Sequence, residues 1–244
     1  DIAPFDIPEW REGSVLMTLV LHQHPLASFC HKVLIALYES GTPFERVLVN
    51  LGDEASRTAF LALSPLGKMP ALEDKSRGRT VFETSIIIEY LDRYHPGSAR
   101  LIPDDLDAAL DVRLWDRFFD HYVQEPMQQI VSERMRADGS EARAEEARHA
   151  LKRAYAVIEG KLAAEGWIAG ESFTIADCAA APGLFYAETL VPYGSDVPKL
   201  AAYHQRLMER PSVARVLEEA MPYFKYYPYK ENLPARFRPS DTEA

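Results

Sequence analysis

Hydrophobic and polar positions along this chain change rhythm near residue 95. Before it, short apolar runs alternate with amphipathic stretches. "VLMTLVLH" (Val15–His22) is apolar and β-rich and predicts a strand. "SFCHKVLIALYESG" carries Phe29, Val33, Ala36 and Leu37 at helical spacing and stops at Gly41, a helix terminator. "PFERVLVNL" (Pro43–Leu51) predicts a second strand and "EASRTAFLAL" (Glu54–Leu63) a shorter helix. "PALED" and "RTVFE" read as strands joined by the turn "KSRG". "ETSIIIEYLDRYHP" predicts a third helix, ended by His95-Pro96. The order is βαβαββα. Its β-α-β unit implies a parallel pair. Its two close-set strands imply a hairpin.

After "HPGSARLIPDD" the strand pattern stops. Leu106, Leu110, Leu114, Phe118 and Tyr122 recur one helical turn apart, and Pro126 is expected to kink or interrupt that helix. "SEARAEEARHALKRAYAVIEGKLAAEG" predicts a second long amphipathic helix. "TIADCAAAPGLFYAETL" is apolar almost all round and predicts a buried central helix. "KLAAYHQRLMER" and "PSVARVLEEA" predict two shorter ones. The aromatic stretch "MPYFKYYPYKENLPARF" has no helical period, and the final "RPSDTEA" is expected to be disordered. The chain divides into an α/β unit over 1–95 (with 1–13 an extension), a linker over 96–104, and an all-α unit over 105–244.

Composition narrows the function classes. The 244 residues are 47% hydrophobic and 26% charged, ordinary for a globular protein. A net charge of -10 argues against nucleic acid or an anionic membrane as partner. No run is long and apolar enough to span a membrane. Two cysteines, Cys30 and Cys178, make no disulfide framework. The opening "DIAPFDIPEWREG" has no basic-then-apolar signal pattern, so a cytoplasmic setting is expected.

Three motifs carry chemistry or capping. "SPLGKMPAL" (Ser64–Leu72) puts Pro70 at the front of a strand, where a residue without a ladder N–H fits. "FETSIIIEYL" puts Glu83 and Thr84 at a helix start, where free N–H groups and the positive dipole end favour an anion. Taken alone, Pro70 shapes a bend, Thr84 caps a helix, and Glu83 and Lys68 are solvated charges. "FTIADC" gives Thr174 and Asp177 capping-box spacing before the apolar helix, a structural signal. His22 and His24 form an i, i+2 pair with no cysteine or carboxylate expected nearby, so no metal site is expected.

These motifs, in this order, resemble the cytosolic glutathione S-transferase family, over about Met17 to Ala220. The resemblance implies a thioredoxin-like first domain and an all-helical second domain. It implies an enzyme that activates the thiol of glutathione for attack on a small apolar electrophile, without a metal. The class suggested is a bacterial serine-type one (theta-, zeta- or tau-like). It implies a cis Met69–Pro70 bond, with the Met69 backbone pairing to the cysteinyl unit of glutathione. Glu83 and Thr84 would hold the γ-glutamyl arm, and Lys68 would approach the glycyl carboxylate. A homodimer is implied as well.

The thiol partner is where this chain departs from its relatives. Serine-using classes place the catalytic serine six residues before the valine matching Val33. That position is Ala27, and Ser28 comes one residue later. Ser28 is the first candidate. It also fits the N-cap of its helix, with its oxygen on the His31 N–H. Backbone N–H groups of Phe29 and Cys30 could stabilise a thiolate without a hydroxyl. Cys30 is the alternative, as the nucleophile of a glutathione-dependent reductase or peroxidase, although "SFCHK" is not C-x-x-C. A non-catalytic glutathione-binding or scaffold protein is the third reading. The tail aromatics Tyr223, Phe224, Tyr226, Tyr227 and Tyr229, with Phe118, Phe119 and Tyr122, are candidates for the electrophile side, and Tyr186 is as readily core.

Overall fold

The computed structural model describes residues 18–239. Val15–Met17 of the first expected strand, the 1–13 extension and the end of "RPSDTEA" lie outside them. In chain order the first domain is β1 (Leu19–Gln23), α1 (Ser28–Ser40), β2 (Glu45–Leu48), α2 (Glu54–Leu63), β3 (Ala71–Asp74), β4 (Arg79–Phe82) and α3 (Thr84–Tyr94). The four strands form one sheet in the order β2-β1-β3-β4. β1 runs parallel to β2, pairing Val20 with Glu45, and antiparallel to β3, pairing Leu21 with Leu72. β3 and β4 form the expected hairpin.

Local chemistry sets the boundaries. Gly41 closes α1 in the left-handed region at φ 68°, donating its N–H to the Leu37 carbonyl, a conformation that costs glycine nothing. Asp53 caps α2 by accepting the Ser56 N–H at 2.7 Å. Asp74 ends β3 as a buried hub. It accepts from the Ser76 and Arg77 N–H groups, from the Tyr90 hydroxyl at 2.9 Å, and lies 2.6 Å from His95 Nε2. The hairpin is thereby pinned to the end of α3.

The second domain is helical: α4 (Leu106–Phe118), a π turn (Phe119–Gln124), α5 (Glu125–Met135), α6 (Glu141–Lys161), α7 (Ile175–Leu190), α8 (Pro198–Glu209) and α9 (Pro211–Ala220). Short 3-10 segments at Met221–Tyr226, Lys230–Asn232 and Ala235–Phe237 complete it. The expected interruption before Pro126 is the π turn. Pro126 has no N–H, and its ring would collide with the Tyr122 carbonyl in a regular helix; the wider turn ahead of it resolves both.

α7 is the axis of this domain and is buried along nearly its whole length. Gly183 lets the π turn approach it: a Cβ there would stand 3.1 Å from Gln124 Cγ. The capping box at its start forms. The Asp177 carboxylate accepts the Thr174 N–H at 2.8 Å and its hydroxyl at 3.0 Å. It also takes the Ile168 N–H at 3.2 Å and the Tyr203 hydroxyl at 2.6 Å. Four donors are what an ionisable group buried at the centre of a domain requires.

The most regular apolar row of the sequence faces outward. Leu106, Leu110, Leu114 and Tyr122 are all exposed, whereas Ala109, Val112, Trp115 and Phe119 fill the core. One apolar cluster runs through both domains, from Leu21 and Leu37 to Leu184 and Leu217. Charged contacts tie α1 to the far end of the chain: Arg210 forks onto Glu39 at 2.8 and 2.6 Å.

Candidate active site at the domain junction

A cavity of about 320 Å³ opens between the first domain and the π turn. Lys68, Met69, Pro70, Glu83 and Thr84 all line it. Three local features bring them together. The first is the loop before β3. The Ser64 hydroxyl donates to the Lys68 carbonyl at 3.2 Å, and Gly67 donates its N–H to the Ser64 carbonyl at 2.9 Å. The Met69–Pro70 peptide is cis. Pairing of β3 begins at Ala71, so Met69 stands outside the ladder at the cavity wall.

The second feature is the entry to α3. Glu83 takes φ 69° and occupies the N-cap position, so Thr84 is the first helical residue and not the cap. A non-glycine residue in that region is strained, and such strain concentrates at functional sites. Glu83 supplies no side-chain cap; its carbonyl accepts the Ile87 N–H at 2.8 Å. The N–H groups of Thr84 and Ser85 therefore have no acceptor within the helix.

The third is a buried ion cluster that sequence inspection missed. Lys32 Nζ is fully buried, 2.7 Å from Asp116, 2.7 Å from Asp120 and 3.0 Å from Ser85 Oγ. Arg117 pairs with Asp120 at 2.6 Å and donates to Ser85 Oγ at 3.2 Å. Burial pushes the Asp120 carboxyl upward while Lys32 pulls it back. Arg117 and Asp120 form the helical-domain wall of the cavity. The cluster ties α1, α3 and that wall into one unit. Its only sequence signal was a lysine inside the apolar run "CHKVLIAL".

The first turn of α1 supplies the remaining wall through Ala27 and Phe29. Ala27 holds the N-cap position and makes no side-chain cap. Its carbonyl accepts the N–H groups of Cys30 and His31 at 2.9 and 3.1 Å. The expected Ser28 cap over His31 is thus absent, because the helix begins one residue earlier than that reading required. Ser28 is buried, and its hydroxyl accepts from Gln128 Nε2 at 3.4 Å. It lines an adjoining cavity. Cys30 lines neither; burial pushes its thiol up to about 12.

The adjoining cavity is about 470 Å³ and shares Ala27, Met69 and Gln128 with the first. Met127, Val131 and Met135 form one side, and Tyr186, Tyr226 and Tyr227 another. The tail aromatics divide. Tyr226 and Tyr227 reach this cavity, while Phe224 packs on Phe185 and Phe237 at 5.8 and 5.7 Å. Phe118, Phe119 and Tyr122 line neither cavity: Phe118 and Phe119 pack on Trp115 at 4.9 and 6.4 Å, and the exposed Tyr122 packs on Phe118 at 5.0 Å. His22 does have a carboxylate beside it, Glu73 at 3.4 Å, because antiparallel pairing puts Glu73 diagonally across on the same face. No group of three or more candidate metal ligands occurs among the described residues.

Comparison with known proteins bears on this geometry. The family model for the glutathione S-transferase N-terminal domain matches residues 27–93, and that for the C-terminal domain matches 118–211. A glutathione S-transferase from Methylobacterium radiotolerans, solved in complex with glutathione sulfonate, is 30% identical, with TM-score 0.70 over 81% of this chain and 93% of that one. The chain belongs to the glutathione S-transferase family. One from Methylobacillus flagellatus, solved with glutathione bound, is 28% identical with TM-score 0.74, over 81% of this chain and 98% of that one. A Pseudomonas putida glutathione S-transferase is 29% identical over 84% of this chain and 96% of its own length. Among the described residues of this family member, no helix is long and apolar enough to cross a membrane.

Proposed function

We propose that the protein is a glutathione transferase that presents the glutathione thiolate to a small apolar electrophile. The convergence of Lys68, Met69, Pro70, Glu83 and Thr84 on one cavity carries the reading. The cysteinyl backbone adds to Met69 as a short strand would. The γ-glutamyl arm lies against Glu83, Thr84 and the open N-terminus of α3. Lys68 meets the glycyl carboxylate. The thiol then falls at the first turn of α1, where its ordinary pKa of ~8.5 must be lowered for it to react at neutral pH. Ser28 Oγ and the free N–H groups of Ser28 and Phe29 are the donors available there. The thiolate attacks a carbon held in the adjoining apolar cavity.

Cys30 as a redox nucleophile is disfavoured by its burial and raised pKa. Iodoacetamide labelling that is fast at neutral pH would restore it. Domains over 1–95 and 105–244, joined by 96–104, and a cytoplasmic location belong to the same proposal. So does a homodimer. Arg113 of α4 forks onto Glu89 of α3 at 2.8 and 3.0 Å, and Leu110 and Leu114 of α4 and Ile86 of α3 are exposed apolar residues of these two helices. A second copy would cover that face. Sedimentation at the 27.6 kDa monomer mass would refute the dimer. For the reaction, calorimetry with glutathione should show binding, and a panel of electrophiles should show turnover. Binding without turnover would instead mark a scaffold protein.

A further inference from the structure

Four serines are buried among the described residues: Ser28, Ser64, Ser85 and Ser212. Three of them donate their hydroxyl protons. Ser64 donates to the Lys68 carbonyl, Ser85 to Asp116 and Ser212 to Glu39. Ser28 differs. Its hydroxyl makes one hydrogen bond and receives it, from Gln128 Nε2 at 3.4 Å. A helical serine commonly gives its proton to a carbonyl three or four residues back. For Ser28 those carbonyls belong to Pro25 and His24. His31 Nε2 donates to the Pro25 carbonyl, and the Ala27 N–H donates to the His24 carbonyl at 3.0 Å. The Ser28 proton is left with no acceptor among the described residues.

The place of this proton gives it a use. Ser28 and Gln128 both line the second cavity, and Gln128 lines the first as well, with Ala27 and Met69. Those three shared residues mark the boundary where the sulfur of a bound glutathione would pass from one cavity to the other. Ser28 stands on α1 of the first domain and Gln128 on α5 of the helical one. An amide nitrogen only donates, whereas a hydroxyl offers one proton and two lone pairs. With a lone pair held by Gln128, the hydroxyl keeps its proton for a ligand. A hydroxyl that accepts a hydrogen bond is also polarised into a stronger donor.

We propose that Gln128 is a positioning residue for thiol activation: its side-chain N–H holds the Ser28 hydroxyl with the proton facing the glutathione sulfur. This rests on the glutathione reading above, and it assigns the thiol's donor to Ser28 ahead of the backbone. The thiol gives its proton to water. The sulfur, now a thiolate, accepts the Ser28 hydrogen bond, which favours the charged form. No bond between heavy atoms forms or breaks in this step. The activating hydroxyl is set by a contact across the domain junction, so thiol activation depends on how the helical domain is docked.

The test follows the thiolate absorbance of bound glutathione against pH in the wild-type protein, Gln128→Met, Ser28→Ala and the double variant. Methionine keeps the reach of glutamine and removes its N–H. Ser28→Ala should lower the thiolate fraction at neutral pH by about tenfold or more, the range for a hydrogen bond to a charged group. Gln128→Met should lower it by about fivefold, because the hydroxyl remains but is no longer held. Once Ser28 is alanine, Gln128→Met should change it by less than about twofold, since nothing is left to position. At high pH every variant should reach the wild-type plateau. Equal loss in both backgrounds, no loss in Gln128→Met alone, or no loss in Ser28→Ala overturns the proposal. Gln128 is exposed, so the unfolding midpoint of Gln128→Met should hold. A fall in that midpoint, or a lowered plateau, assigns Gln128 a structural role and overturns the proposal too. Failure of the wild-type protein to bind glutathione in calorimetry overturns the site reading itself, whereas binding with any of the contrary results above overturns only the role of Gln128.

Discussion

The two cavities touch, share Ala27, Met69 and Gln128, and are built on opposite plans. The first is held by backbone geometry and charge: a cis peptide at Met69–Pro70, a left-handed Glu83 and a buried ion cluster around Lys32. Its sequence motifs are short, because backbone conformation is set by a few neighbouring residues. The second is walled by mostly apolar side chains from the loop between β1 and α1, from α1, α5 and α7, and from the tail. A rigid polar site serves a constant ligand, and a loosely specified apolar one serves a variable ligand. In this molecule the two plans meet along Met69.

The largest test of the first plan is Lys32→Met. It leaves Asp116 and Asp120 buried without their cation, and should cost about 3–5 kcal/mol in urea unfolding. A cost below ~1 kcal/mol would mean that water or Arg117 already satisfies the pair. Next is Glu83→Ala, expected to weaken glutathione binding by ~1.5–3 kcal/mol in calorimetry if a charged hydrogen bond is lost. The apparent KM for the electrophile should hardly move. If both change together, the two cavities are not independent.

Ser28→Ala sits on the boundary. Because Ser28 caps nothing and its one contact is a 3.4 Å bond from Gln128, stability should change by less than ~1 kcal/mol. Loss of thiolate absorbance in the glutathione complex would then identify its hydroxyl as the thiol's donor. Retained absorbance would leave the task to backbone N–H groups. Cys30→Ala should keep the absorbance either way.

A further test lies away from both cavities, at Asp74. Burial alone would raise this carboxyl, but hydrogen bonds from Ser76, His95 and Tyr90 outweigh it and hold the group at about 2. A folded pKa below the unfolded one adds stability at pH above the unfolded value, ~3.9, and loses it as pH falls toward the folded one. Stability should therefore decline between about pH 4 and pH 2. Asp74→Asn should flatten that part of the curve without touching glutathione affinity. A matching loss of affinity would show that the hairpin and the first cavity are coupled.

What could be read from the sequence follows the range of the forces involved. The βαβαββα order, the stop at Gly41, the α7 capping box, and the placing of Pro70 and Glu83-Thr84 at element starts all depend on residues within a few positions of one another. Strand alternation, helix period and capping are local, and so they were legible. Tertiary structure decided the rest. It turned the Leu106–Leu110–Leu114 row outward, because Trp115, Phe119 and Val112 on another face already filled the core. It joined Lys32 to Asp116 and Asp120, more than eighty positions along the chain. It sealed Cys30 into the core and left Tyr186 without a partner at the edge of a cavity. Burial is the physical reason. Whether a lysine, a cysteine or a tyrosine is charged, reactive or inert depends on what surrounds it, and those neighbours are chosen by packing across the whole chain.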